Sequence, residues 1–102
     1  MPSVIAQTEK EITKSIRSVL KGLGIFHWKQ FQTLGSTPGV SDIIGIYEGK
    51  LLAVEVKTQK GKLSPAQQSF IDAVNRNGGL GFVARSIDDL IDNLGVRDRF
   101  LF

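Results

Sequence analysis

Residues 42–58 read DIIGIYEGKLLAVEVKT. Two apolar runs, 42–47 and 51–58, flank Glu48-Gly49-Lys50, which is the pattern of a β-hairpin closed by a glycine turn. Asp42, Glu55 and Lys57 are set into these otherwise apolar strands. Burying unpaired charge is costly, so something must compensate it. A divalent metal with a phosphate substrate is the natural candidate.

The turn decides whether the two carboxylates meet. A two-residue loop of Glu48-Gly49 makes Tyr47 face Lys50 and puts Asp42 directly opposite Glu55. A loop of Gly49-Lys50 makes Asp42 face Lys57, with Glu55 diagonal to it. A three-residue loop separates the carboxylates onto opposite faces unless a bulge corrects the register. Glu55 and Lys57, two apart on one strand, share a face in every case. Two converging carboxylates suit Mg²⁺, which prefers hard oxygen ligands. A neighbouring lysine can place an attacking water or neutralise charge on the phosphorane. The Val56 carbonyl at the edge of such a site is a further candidate ligand. The structural alternative is a cross-strand ion pair.

Working outward, residues 4–23 form an amphipathic helix with Ile5, Ile12, Ile16, Val19, Leu20 and Leu23 on one side. Glu9 falls on that buried-facing side and is a candidate third metal ligand; Glu11 falls almost opposite and is solvated. The alternative for Glu9 is an acid favoured by the helix dipole. Lys10, Lys14, Arg17 and Lys21 mark the outer side, read as a solvated face. Residues 25–34 suggest a strand and 35–41 a loop. Past the hairpin, 59–63 are a basic loop. Ser64-Pro65-Ala66-Gln67 starts a helix reaching about Asn75, with Ser64 as N-cap and Gln67 completing a capping box. The other reading of Gln67 is that it reaches the metal site or a phosphate, with spacing alone favouring the cap. Asn77-Gly78-Gly79 ends that helix, 80–85 form a short strand, and Ser86 caps a final helix to about Leu94. The order α-β-β-β-α-β-α predicts a mixed sheet flanked by helices, an α/β architecture.

The chain has 102 residues, enough for one domain spanning 1–102. No apolar run approaches the ~20 residues of a membrane span, and the N-terminus lacks a secretory pattern. Without cysteine, thiolate chemistry and disulfides are excluded. The cytoplasm is the expected setting. A net charge of +3 permits nucleic-acid binding without arguing for it. His27, the single histidine, cannot build a two-histidine metal site. The Gly78–Gly81 run lacks the Gly-Lys-Ser/Thr ending of a phosphate loop.

Gly39-Val40-Ser41-Asp42, Glu55-Val56-Lys57 and Leu63-Ser64-Pro65-Ala66-Gln67 together resemble the VRR-NUC group of the PD-(D/E)XK nucleases. The first helix and the Asn77–Ala84 segment fit too, so the resemblance covers roughly residues 8–94. One departure is Ser41, where the family usually has proline; activity is expected to survive it. The resemblance implies a restriction-endonuclease-like αβββαβ core and Mg²⁺- or Mn²⁺-dependent cleavage of DNA. It implies Asp42 and Glu55 as metal ligands, Lys57 as catalytic, Glu9 as the family's helix glutamate and Gln67 in the active site. Stand-alone members look like phage or prophage nucleases, and some resemble Holliday-junction resolvases acting as homodimers. A homodimer on branched DNA is therefore expected, without organic cofactor or membrane. The alternatives are a non-enzymatic DNA-binding module and an RNA nuclease on the same fold. Lys60 and Lys62 after the catalytic strand, Ser36 and Thr37 before Asp42, and Lys29 on the first strand are candidate nucleic-acid contacts. The apolar tail Phe100-Leu101-Phe102 is a candidate for association.

Overall fold

The hairpin closes through Glu48 and Gly49, whose φ values of 51° and 77° are both positive. That pair of left-handed residues matches the right-handed twist of two strands joined by a two-residue turn. Strand β2 (Ile43–Tyr47) thus pairs antiparallel with β3 (Lys50–Val56), with Tyr47 facing Lys50 and Ile43 facing Val54. The computed structural model describes residues 6–31 and 36–100. Around the hairpin stand α1 (Glu9–Gly22), β1 (His27–Lys29), α2 (Pro65–Arg76), β4 (Leu80–Ala84) and α3 (Ile87–Leu94), then a 3-10 turn at Arg97–Phe100. The sheet order is β1-β2-β3-β4. β1 runs antiparallel to β2, and β4 parallel to β3, so the sheet is mixed and α2 is the crossover between parallel strands.

Two layers of helix cover the sheet. Ile12, Ile16 and Leu20 of α1 and Leu90, Ile91 and Leu94 of α3 bury against Ile43, Leu52, Val54, Val56 and Phe82. The other face is thinner: Val74 and the partly buried Phe70 of α2 meet Ile44 and Ala53. Alternation along β3 supplies both layers, Leu52 and Val54 to one and Ala53 to the other. Asn75 clamps α2 to β4, accepting from the Gly81 N–H at 2.8 Å and donating to its carbonyl at 2.9 Å. The Tyr47 hydroxyl donates to the Leu94 carbonyl at 2.8 Å and ties the hairpin to α3.

Three expectations are corrected. The first helix begins at Glu9 rather than residue 4, because Thr8 caps it; residues 1–5, with Ile5, lie outside the described residues. Glu9, the first residue of that helix, precedes the first buried position, Ile12, and is exposed rather than buried-facing. The first strand is three residues long, not ten. Its ladder ends with the Gln30 N–H on the Asp42 carbonyl at 2.7 Å, and the segment before Asp42 lies against α2 at Gly39; residues 32–35 lie outside the described residues. Phe100 packs against the main core of its own chain, whereas Leu101 and Phe102 lie outside the described residues.

Candidate active site

Asp42 precedes the first residue of β2, and continuing the register past Ile43 and Val54 sets it opposite Glu55. Its Oδ2 accepts the Val56 N–H at 2.8 Å, which fixes the carboxylate against the end of β3. Glu55 is 2% exposed, in the midst of a strand buried from Leu52 to Val56. Its Oε2 accepts from Gln67 Nε2 at 3.3 Å, and its Oε1 is buried with no partner. Burial pushes the Glu55 carboxyl up to about 8 from 4.5, and the neighbouring Asp42 carboxylate pushes the same way. Lys57 pulls it down and Glu9 adds a smaller upward push. Two acids share one spot, and Glu55 is the one driven toward its protonated form.

Gln67 completes the capping box and also reaches Glu55. Its N–H donates to Ser64 Oγ at 3.1 Å and its Oε1 accepts the Ser64 N–H at 2.9 Å, a complete capping box. The remaining amide nitrogen is the group that reaches Glu55. The start of α2 is held to the Asp42 loop by Gly39. At φ +73° a side chain is strained, and a Cβ there would lie 2.1 Å from the Ala66 carbonyl oxygen. Only glycine lets this loop press against α2, and so sets Asp42 and Gln67 side by side. Ser41, in the same loop, is fully buried with an unpartnered Oγ.

Lys57 is half-buried just past β3. Glu9 stands at the rim of a cleft of about 440 Å³ that it lines with Lys10, Thr13, Lys29, Phe31 and Asp42. Among the described residues no three His, Cys, Asp or Glu side chains form a metal-binding group. The compact pair is Asp42 and Glu55, with Glu9 outside it. Their chemistry still fits a hard divalent cation: an orphaned, buried carboxylate oxygen faces a second carboxylate, and Mg²⁺ commonly binds through one or two carboxylates plus water. Lys60 and Lys62 are exposed on the loop that leaves β3. Thr37 is exposed and Ser36 half-buried on the approach to Asp42, and Lys29 Nζ lies 4.2 Å over the Phe31 ring. His27 is apart from this group, its Nδ1 2.9 Å from the Ile25 carbonyl oxygen.

Arg85 is a residue that sequence reasoning missed. Its guanidinium donates to the carbonyls of Thr58 at 2.5 Å and Gly61 at 2.7 Å, pinning the loop between Lys57 and Lys62. Its only signal in the sequence is a cation closing the apolar strand LGFVAR; the loop it grips is 24 to 27 residues away.

The profile of the VRR-NUC domain family matches residues 2–88. Four solved chains match. One of them, called a VRR_NUC domain protein, is 20% identical, with a TM-score of 0.73 over 89% of this chain and 88% of that one. This likeness shows a shared fold. No curated protein matches.

Proposed function

The chain belongs to the VRR-NUC domain family of nucleases, and on that premise we propose that it is a divalent-metal-dependent endonuclease of DNA. The observation that carries this reading is the Glu55 carboxyl, buried, faced by Asp42 and left with one oxygen unpartnered. Such a pair is unfavourable in itself and becomes favourable around a cation.

Asp42 and Glu55 would hold Mg²⁺ or Mn²⁺, with the Val56 carbonyl and Glu9 as further oxygen donors. The chemistry that such a cation would supply is polarisation of the scissile phosphate and acidification of a water. The protein's own groups do the rest. The Val56 N–H orients Asp42, and Gln67 Nε2 orients Glu55. Lys57 supplies positive charge beside the carboxylates, where it can steady the attacking water or the phosphorane oxygens. Lys60, Lys62, Ser36, Thr37 and Lys29 flank the pair and would take phosphates next to the cut. We further propose branched DNA, such as a Holliday junction, as substrate, and a homodimer that sets one site on each strand.

The test is cleavage of a labelled four-way junction beside a matched linear duplex, with Mg²⁺, Mn²⁺ or EDTA. The native chain should cut only with metal, and Asp42→Asn should lower the rate by roughly a thousandfold or more. Junction cutting that exceeds duplex cutting, by a species sedimenting as a dimer, is the expected form. DNA binding without cutting under every metal condition would make the chain a non-enzymatic binding module.

A further inference from the structure

A cavity of about 680 Å³ lies away from the carboxylates. Lys14, Arg17 and Lys21 line it together with Phe26 and His27. A smaller hollow of about 280 Å³ shares Lys14 and Arg17 with it, and shares Lys10, Thr13 and Lys29 with the cleft at Asp42. The three hollows are therefore joined by common walls into one trough between α1 and β1, ending at Asp42. The side of α1 expected to be a solvated face is its wall.

This wall is built at a cost. Lys10, Lys14, Arg17 and Lys21 fall at steps of four, three and four residues, and like charges so spaced on a helix repel. Among the described residues the salt bridges are those of Arg97 with Asp88 and Asp92, so none of the trough cations is paired with a carboxylate. Arg17 Nε is buried with no hydrogen-bond partner. Two exposed rings join the cations: Phe26, 69% exposed, and Phe31, 66% exposed and under Lys29. Cations with open aromatic faces are the elements of a single-strand track, in which phosphates meet charge and bases stack on rings. The spacing agrees. At about 1.5 Å of rise per residue, neighbouring cations are roughly 4.5–6 Å apart along the helix. A stacked B-form strand repeats every ~3.4 Å, so the wall suits a strand drawn out with its bases unstacked.

We propose that the α1–β1 trough binds a single strand of the DNA substrate at the branch point, where pairing is interrupted, and leads it to the carboxylate pair. The proposal rests on the nuclease reading for the identity of the substrate. The strand would run along Lys21, Arg17 and Lys14, pass Phe31 and Lys29, and arrive at Asp42.

Fluorescence anisotropy in EDTA, over a salt series, tests binding apart from cleavage. The probes are a labelled oligothymidylate of about twenty nucleotides and a duplex of the same length. The native chain should bind the single strand more tightly. Lys14→Ser with Lys21→Ser, both at exposed positions, should weaken it by tenfold or more and lower the salt slope by roughly 0.7 per cation removed. Phe31→Ala should weaken it by about tenfold. Arg76→Ser, at the end of α2, should leave it unchanged, and circular dichroism should show every variant folded. Equal binding by the native and double-variant proteins, a matching loss in Arg76→Ser, or tighter binding of duplex would overturn the trough. The nuclease reading fails separately: strand binding that needs Lys14 and Lys21, in a chain that cuts nothing with Mg²⁺ or Mn²⁺, retains the trough and removes the nuclease. Cutting by a chain whose strand binding ignores those lysines does the reverse.

Discussion

Helices α1 and α2 start with the same device. In α1, Thr8 Oγ1 accepts the Glu11 N–H at 3.1 Å and Glu11 Oε1 accepts the Thr8 N–H at 2.9 Å. In α2, Ser64 and Gln67 repeat both bonds at the same two distances. As caps they are equivalent. They differ in what the third residue has left over. Glu11 has a second carboxylate oxygen and is exposed. Gln67 has an amide nitrogen, and it donates to Glu55. One local motif thus either closes on itself or becomes a strut for a buried acid, and the choice is a single heavy atom.

The two glutamates near these boxes respond oppositely to pH, and this gives the largest expected effect. The folded pKa of Glu55 is raised to about 8, so folding is favoured by its proton. That contribution is whole below its unfolded value of 4.5 and is lost as pH rises through about 8. The span corresponds to a loss on the order of 5 kcal/mol. In EDTA the melting temperature should therefore fall by roughly ten degrees or more across this range. Glu55→Gln should flatten the descent, and saturating Mg²⁺ should do the same by favouring the ionised pair. Glu11 is lowered, chiefly by the hydrogen bond from the Thr8 backbone, so its contribution is present above its ordinary range and is lost as pH falls. A flat melting curve for the native chain in EDTA would mean that Glu55 is not held as an acid.

Gln67→Glu separates strut from cap. Glutamate is as good as glutamine at this box position, and an acid suits a helix N-terminus. The cap should persist, with α2 intact by circular dichroism. The donor to Glu55 becomes a third carboxylate, so the pair is misoriented and over-charged. Cleavage should fall roughly a hundredfold at a given metal concentration. Glu11→Gln, the reciprocal exchange in α1, should leave cleavage at the native rate. Equal activity of the two variants would reduce Gln67 to a cap.

Most of this contrast was legible before the structure, though unevenly. The Glu48-Gly49 turn was one of three options, and its register is the one that opposes Asp42 and Glu55. Ser64-Pro65-Ala66-Gln67 announced its cap because capping is local. The Thr8–Glu11 box was equally local and was missed, because apolar periodicity carried the helix back to residue 4. Glu9 lies on the side the helical wheel gives it, lining the cleft with Asp42, but is exposed there, because the wheel does not say how far the packed part of the helix extends. Arg85 and the trough lay beyond sequence reasoning. Arg85 works through backbone carbonyls, which every residue has. The lysines of α1 are exposed, as their pattern suggests, and only with β1 laid beside them do they line a hollow.

The smallest effect is the most specific one. Thr8→Ala and Ser64→Ala delete the same hydroxyl from equivalent caps, and each should cost about 1 kcal/mol of stability. For a domain of this size that is roughly 4–8 °C in melting temperature. If the boxes were merely caps, the two variants would behave alike in every assay. Ser64, however, also holds the residue that orients Glu55. Losing its hydroxyl frees the first turn of α2, and with it Gln67, at the site itself. Ser64→Ala should therefore lose severalfold in cleavage at a temperature where both variants are fully folded, while Thr8→Ala should match the native rate. Equal losses would show that α1 start and α2 start are coupled through global stability alone, and the distinction between closed cap and strut would not hold.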